Sequence, residues 1–184
     1  MRDIKVIASS ISNLTDARYF AAKIVDALSF DLNKVNRDEY FAIKDWVEGV
    51  AILLETDEEF FDMEIHEADG IIYTVNEGFR DNDILPNSTI VSAPKKIIEG
   101  LDERSGQIVR NHNWDGLSAT DKQAIIDFAF ENDCYLDVSL SLQELESFIE
   151  AEKIYGIVCR GGDEEKVGYK SFDELDDMFD LMDE

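Results

Sequence analysis

The chain has 184 residues, 42 of them Asp or Glu against 17 Lys or Arg, for a formal net charge of −25. Such a surface repels phosphate backbones and anionic lipid, which argues against nucleic-acid and membrane-surface roles and says nothing of the fold. An apolar content of 45% with two prolines and ten glycines fits one domain over residues 1–184 with no linker or low-complexity tract.

From the N-terminus, Met1-Arg2-Asp3-Ile4-Lys5-Val6 has no long apolar core of a signal peptide. Ile4–Ala8 is the first strand candidate, rich in β-branched residues. Asn13, Thr15 and Asp16 offer capping oxygens for a helix carrying Ala17, Phe20, Ala21, Ile24 and Val25 on one face. Asp26–Phe30 is the second strand, Arg37–Val47 the second helix, Gly49 its stop, and Val50–Leu54 the third strand. A third helix is expected over Asp57–Glu67 and a fourth strand over Gly70–Thr74. Asn76–Pro86 is polar and broken by Gly78, so no partner helix is read there.

Thr89–Ala93 is the fifth strand, followed by a brief helix near Pro94–Gly100. Gln107–Asn111 is the faintest strand signal, and Ala119–Asn132 a clear helix. Tyr135–Val138, Leu142–Ala151, Tyr155–Cys159 and Ser171–Met182 complete a strand-helix-strand-helix ending. No apolar run approaches the ~20 residues of a membrane span. Cys134 and Cys159 lie in or beside apolar runs, which suits buried free thiols in a cytoplasmic protein. Strands separated by helices imply right-handed crossovers and a parallel sheet, either a shortened (βα)8 barrel or an open doubly wound sheet.

Five segments, in order, decide between the two. They are Ile7–Ala17 with Ser9-Ser10 and Asp16-Ala17; Val25-Asp26-Ala27 through Phe30; Trp46–Val50; Ala68-Asp69-Gly70 through Thr74; and Tyr155–Gly162 with Val167-Gly168 and Lys170. Together they resemble phosphoribosylanthranilate isomerase, a tryptophan-pathway enzyme, at both ends of the chain and little between residues 75 and 130. The resemblance implies a small (βα)8 TIM barrel and, in the family, conversion of an aminoaldose to an aminoketose by a general acid and a general base.

The same comparison removes the catalytic groups. The family's base, a cysteine on the first strand, falls on Ser9, and the glycine after it on Ser10. A serine hydroxyl is too weak an acid to stand in for a thiolate without a partner base, and the sequence shows none beside it. The family's acid, an aspartate ending the sixth strand, falls on Asn111 or Arg110, with Asp115 farther along. The glycine-rich phosphate turn on the seventh strand becomes Asp137-Val138-Ser139-Leu140, which a phosphate cannot approach as closely. The expectation is a barrel that has lost this catalysis and serves as a binding or partner module. The alternative is an active isomerase with an atypical acid-base pair.

The candidates for ligand or phosphate contacts are Ser10, Ser139, Arg160, Gly161 and Gly162, the last three at the mouth of the eighth strand where barrel phosphate sites sit, and otherwise an ordinary Gly-Gly turn beside a surface arginine. Lys95-Lys96 and His112 read as solvated surface, and His66 as a residue near a helix end. Other chemistry on the same scaffold would need a new cluster, with Glu55, Asp31 and His112 as its candidates. No cofactor or metal is expected, since the acidic runs lack calcium-loop spacing and no Cys/His set has zinc spacing. The partner expected is a phosphorylated small molecule or another protein.

Overall fold

The computed structural model describes residues 4–57, 67–75, 89–99, 106–161 and 171–183. Eight parallel strands close on themselves in chain order, with β1 pairing both β2 and β8. They are β1 (Lys5–Ser9), β2 (Ala27–Asp31), β3 (Ala51–Thr56), β4 (Gly70–Thr74), β5 (Thr89–Ala93), β6 (Gln107–Asn111), β7 (Tyr135–Val138) and β8 (Gly156–Arg160). Between and after them lie α1 (Leu14–Ala22), α2 (Arg37–Lys44), α3 (Lys95–Ile98), α4 (Ala119–Glu131), α5 (Leu142–Glu150) and α6 (Asp173–Asp183). This is a small TIM barrel, and the open sheet is excluded. The expected helix over Asp57–Glu67 and the polar stretch Asn76–Pro86 fall almost wholly outside the described residues.

Local signals set these boundaries. Asn13 and Asn36 accept the backbone N–H three residues on, from Asp16 at 2.8 Å and Glu39 at 3.0 Å, and so cap α1 and α2. Ser141 and Glu144 form a reciprocal capping box at the start of α5. The first helix is shorter than its apolar periodicity predicts. It ends at Ala22, and Ile24 lies beyond it at φ 56°, 88% exposed. Two factors end the helix. The Lys23 N–H closes onto the last carbonyls, and Val25 must turn inward to start β2, where it is buried.

Alternation along each strand divides its side chains between two cores. Val6, Ala8, Leu28, Phe30, Ile52 and Leu54 face outward and pack beneath the helices with Phe20 and Tyr40. Each of the Val, Leu, Ile and Phe side chains among them contributes ~1.5–3 kcal/mol on burial. Inside the barrel, Ile7, Ala27, Leu53, Ile72, Ile108 and Val158 form one cluster, with Ile90 and Tyr135 packed against it. Every strand thus supplies at least one residue to this interior cluster, β3 adding Ala51 to Leu53.

The floor below it is tight. A Cβ on Gly156 would meet Tyr135 Cδ1 at 2.7 Å and the Lys5 carbonyl oxygen at 2.8 Å, so the Tyr135 ring takes the space a larger residue would need. Two aspartates from the recognisable segments close the strand starts. Asp26 Oδ2 accepts the Val6 N–H at 2.7 Å, and Asp69 Oδ2 accepts the Ile52 N–H at 2.7 Å. Their roles are structural, since each satisfies a backbone donor at a barrel edge.

Candidate functional site at the barrel mouth

Two positions past the interior layer, every strand turns polar. Ser9, Ser29, Glu55 and Thr74 stand there on β1 to β4, and Ser92, Arg110, Asp137 and Arg160 on β5 to β8. These positions lie at the C-terminal ends of the strands, the face where TIM barrels place their sites. All but Ser29 line a cavity of about 430 Å³, joined by Ser10, Lys34 and His112, with Ile72, Ile108 and Val158 as its apolar lining.

One half of the mouth centres on Glu55. Its Oε1 accepts from Ser29 Oγ at 2.6 Å, Ser9 Oγ at 3.0 Å and the Ser10 N–H at 2.5 Å. Its Oε2 accepts from Ser10 Oγ at 3.2 Å. Ser10 meets both oxygens because its backbone is left-handed at φ 57°, a conformation that costs a non-glycine residue about 1–2 kcal/mol. The position that the resemblance assigns to glycine therefore keeps a glycine-like backbone. Its hydroxyl adds a second contact to the same carboxylate.

The other half is a charge pair. Arg160 donates to both Asp137 oxygens, at 2.5 and 2.7 Å, as a two-pronged fork. The Asp137 side chain is only 7% exposed and that of Arg160 46%. Hydrogen bonding to Asp137 holds the Arg160 guanidinium above its ordinary pKa, with burial opposing and the charges of Asp137 and Glu55 adding to the rise. Arg110 Nη2 donates to the Val75 carbonyl at 3.1 Å, and Lys34 pairs with Asp31 at 3.3 Å.

The expected site residues divide accordingly. Ser9, Ser10 and Arg160 meet at the mouth. Asn111 does not line it: its Oδ1 accepts the Asn113 N–H at 2.9 Å, and Arg110 is the β6 residue that reaches the cavity. Ser139 is exposed and lines a second cavity, of about 860 Å³, beside α5 and α6. Gly161 is half-buried, and Gly162 lies outside the described residues, as does His66. Of the alternative cluster, Glu55 and His112 share the mouth, whereas Asp31 does not line it.

The sequence reading left Ser9 without a basic partner; the barrel supplies one in Glu55, 46 positions away. Glu55 and Asp137 had an available signal, since each follows an interior apolar residue by two positions. Among the described residues no group of three His, Cys, Asp or Glu is placed to hold a metal ion. Nor is any helix among them long and apolar enough to cross a membrane.

No protein-family model and no curated protein matches this sequence. Solved structures do. The phosphoribosylanthranilate isomerase of Thermotoga maritima is 15% identical at a TM-score of 0.70, and that of Thermus thermophilus 16% at 0.69. The N-(5'-phosphoribosyl)anthranilate isomerase of Pyrococcus furiosus is 12% identical at 0.69. In all three pairs 98% of each chain is covered. The barrel shares their fold from end to end. At this identity the likeness concerns the fold alone, and chemistry must be argued from the mouth.

Proposed function

We propose that this barrel binds a small anionic molecule at its mouth and does not catalyse the aminoaldose-to-aminoketose rearrangement of the isomerases whose fold it shares. The observation that carries the reading is the set of charges lining the cavity. Among the described residues that line it, Lys34, Arg110 and Arg160 stand against two carboxylates, Glu55 and Asp137, with Asp31 just outside the lining on Lys34, a net positive lining in a chain of −25. A lining of opposite sign to the chain as a whole, inside a low-dielectric rim, favours an anion there. The isomerisation also needs a proton donor and an acceptor across the substrate, and the β6 position at the mouth is an arginine, which cannot give up its proton. Two buried free cysteines fit a reducing, cytoplasmic setting.

The test is a fluorescence assay for turnover of phosphoribosylanthranilate by the protein and its Ser9→Cys variant, beside thermal melts in inorganic phosphate and in acetate. The expected result is no turnover by either, and a rise of a few degrees at ~10 times Kd in at least one anion, lost in Arg160→Ala.

A second reading has one observation in its favour, the 3.0 Å contact of Ser9 with Glu55. It makes Glu55 the base of an active isomerase and requires turnover that Glu55→Gln abolishes. If no anion shifts the melt and no turnover is seen, a protein partner becomes the reading to pursue.

A further inference from the structure

The mouth described above distinguishes its two carboxylate oxygens on Glu55 sharply. Oε1 is held by three donors on three sides, from β1, the turn after it and β2. Among the described residues Oε2 receives one contact, the 3.2 Å hydroxyl of Ser10. A carboxylate oxygen can accept about two hydrogen bonds. An arrangement that saturates one oxygen and leaves capacity on the other, in a residue lining a cavity, fixes a hydrogen-bond acceptor in place.

Beside Ser9 in the strand register, Arg160 of β8 presents donors of fixed geometry. A guanidinium carries five N–H groups in a planar fork. Among the described residues Arg160 commits two of them, both to Asp137. The rest of the rim adds the hydroxyls of Thr74 and Ser92, each able to donate and to accept, and that of Ser9, whose hydrogen is given to Glu55 and which can accept. The turn after β7 is poor for a phosphate. Its Leu140 N–H already donates to the Val138 carbonyl at 3.1 Å, and Ser139 brings a side chain where close backbone approach would be needed.

We propose that Glu55 is the specificity-determining residue of this mouth, and that the occupant is a small polyhydroxylated carboxylate, in class a sugar acid. Its carboxylate meets the Arg160 N–H groups that, among the described residues, Asp137 does not take, and a hydroxyl of the same molecule donates to Glu55 Oε2. The inference rests on the reading of the mouth as an anion site and adds which anion. A bare carboxylate satisfies Arg160 and leaves Glu55 unanswered; a neutral sugar satisfies Glu55 and forgoes the arginine.

Isothermal titration with D-gluconate, hexanoate and ribose 5-phosphate, on the wild-type protein and on Glu55→Gln, tests it. Glutamine can keep its amide oxygen in the three-donor pocket while turning an NH₂ group to the cavity, so the acceptor becomes a donor. Gluconate is expected to bind at least tenfold tighter than hexanoate and tighter than ribose 5-phosphate. In Glu55→Gln the ratio of gluconate to hexanoate affinity should shrink below threefold, whatever the loss of one negative charge adds to the binding of both anions. The wild-type series stands even if the variant does not fold. Equal binding of gluconate and hexanoate, or tighter binding of ribose 5-phosphate, overturns the sugar-acid assignment and leaves the anion site intact. Binding of none of the three, nor of inorganic phosphate or acetate, overturns both. An undiminished preference in a folded Glu55→Gln removes Glu55 from the role.

Discussion

Ser9 Oγ donates to Glu55 Oε1 at 3.0 Å, across 46 positions of chain, and Ser29 Oγ reaches the same oxygen at 2.6 Å. Ser29 is fully buried and Ser9 nearly so. Removing one hydroxyl leaves the carboxylate two of its three Oε1 donors, so Ser9→Ala and Ser29→Ala should each cost about 1 kcal/mol. Glu55→Ala strands several donors together and should cost about 2–3 kcal/mol. Urea denaturation at neutral pH measures all three; a loss in Glu55→Ala no larger than in Ser9→Ala would show that the carboxylate does not organise the mouth.

The Arg160–Asp137 fork is lopsided in exposure, and its two halves should not be equivalent. Arg160→Ala leaves a buried carboxylate without its cation and is expected to lose about 2–3 kcal/mol. Asp137→Ala leaves an arginine that water can reach and should lose less, about 1–2 kcal/mol. The ranking of the two melting temperatures is the readout. The reverse order would mean that Asp137 is solvated from a side the fork does not cover.

Beneath the mouth, Gly156 is held to a hydrogen by the Tyr135 ring and the Lys5 carbonyl. Gly156→Ala is expected to destabilise the barrel by about 1–3 kcal/mol. Adding Tyr135→Leu should recover part of that, because the ring can be withdrawn while the backbone oxygen cannot. A double-mutant cycle in denaturant gives the coupling, and strict additivity would count against the ring as the obstacle.

Glu144 joins α5 to the chain around Trp114. Burial pushes its carboxyl up, but hydrogen bonds from Lys122, from the Ser141 N–H and hydroxyl, and from Trp114 outweigh it and bring the pKa to about 2. A depressed carboxyl stabilises the fold above its unfolded value near 4.5, and that stability is lost as the pH falls through about 2. Glu144→Gln should therefore cost about 1–2 kcal/mol at pH 7 and flatten the stability profile between pH 5 and pH 2. A profile that keeps its wild-type slope in the variant would assign the acid sensitivity elsewhere.

Both thiols should be silent in the native state. Burial pushes Cys159 up to about 12 and Cys134 up to about 11, so each presents little thiolate at pH 8. Modification by a disulfide reagent is expected to run about 100-fold slower than in urea-unfolded protein. Fast labelling of either in the native state would reveal local opening around it.

Much of the barrel was legible because each strand carries its own signal. Gly70–Thr74, Thr89–Ala93 and Tyr135–Val138 occupy the positions their short apolar runs give them, as does Gln107–Asn111, whose signal is the faintest. Ile24 shows the limit of periodicity: it continues the apolar face of α1 in sequence, yet stands exposed and left-handed outside it. The mouth was legible only in part. Ser9, Ser10 and Arg160 came from resemblance, which left the β6 position between Asn111 and Arg110; Arg110 is the one that reaches the cavity. Which of two adjacent residues faces inward depends on strand phase, and one residue of slip reverses it. The meeting of Ser9, Ser29 and Glu55 depends further on register among three strands, which no single segment encodes.

The small cationic rim set in an acidic shell has a kinetic corollary. At low ionic strength an arriving anion must climb the repulsion of the whole molecule before it feels the arginines. Added salt shortens the Debye length to about 8 Å at 0.15 M, which screens the distant acids more than the contacts at the mouth. On the proposed anion reading, capture should thus quicken as salt rises, the inverse of electrostatic steering.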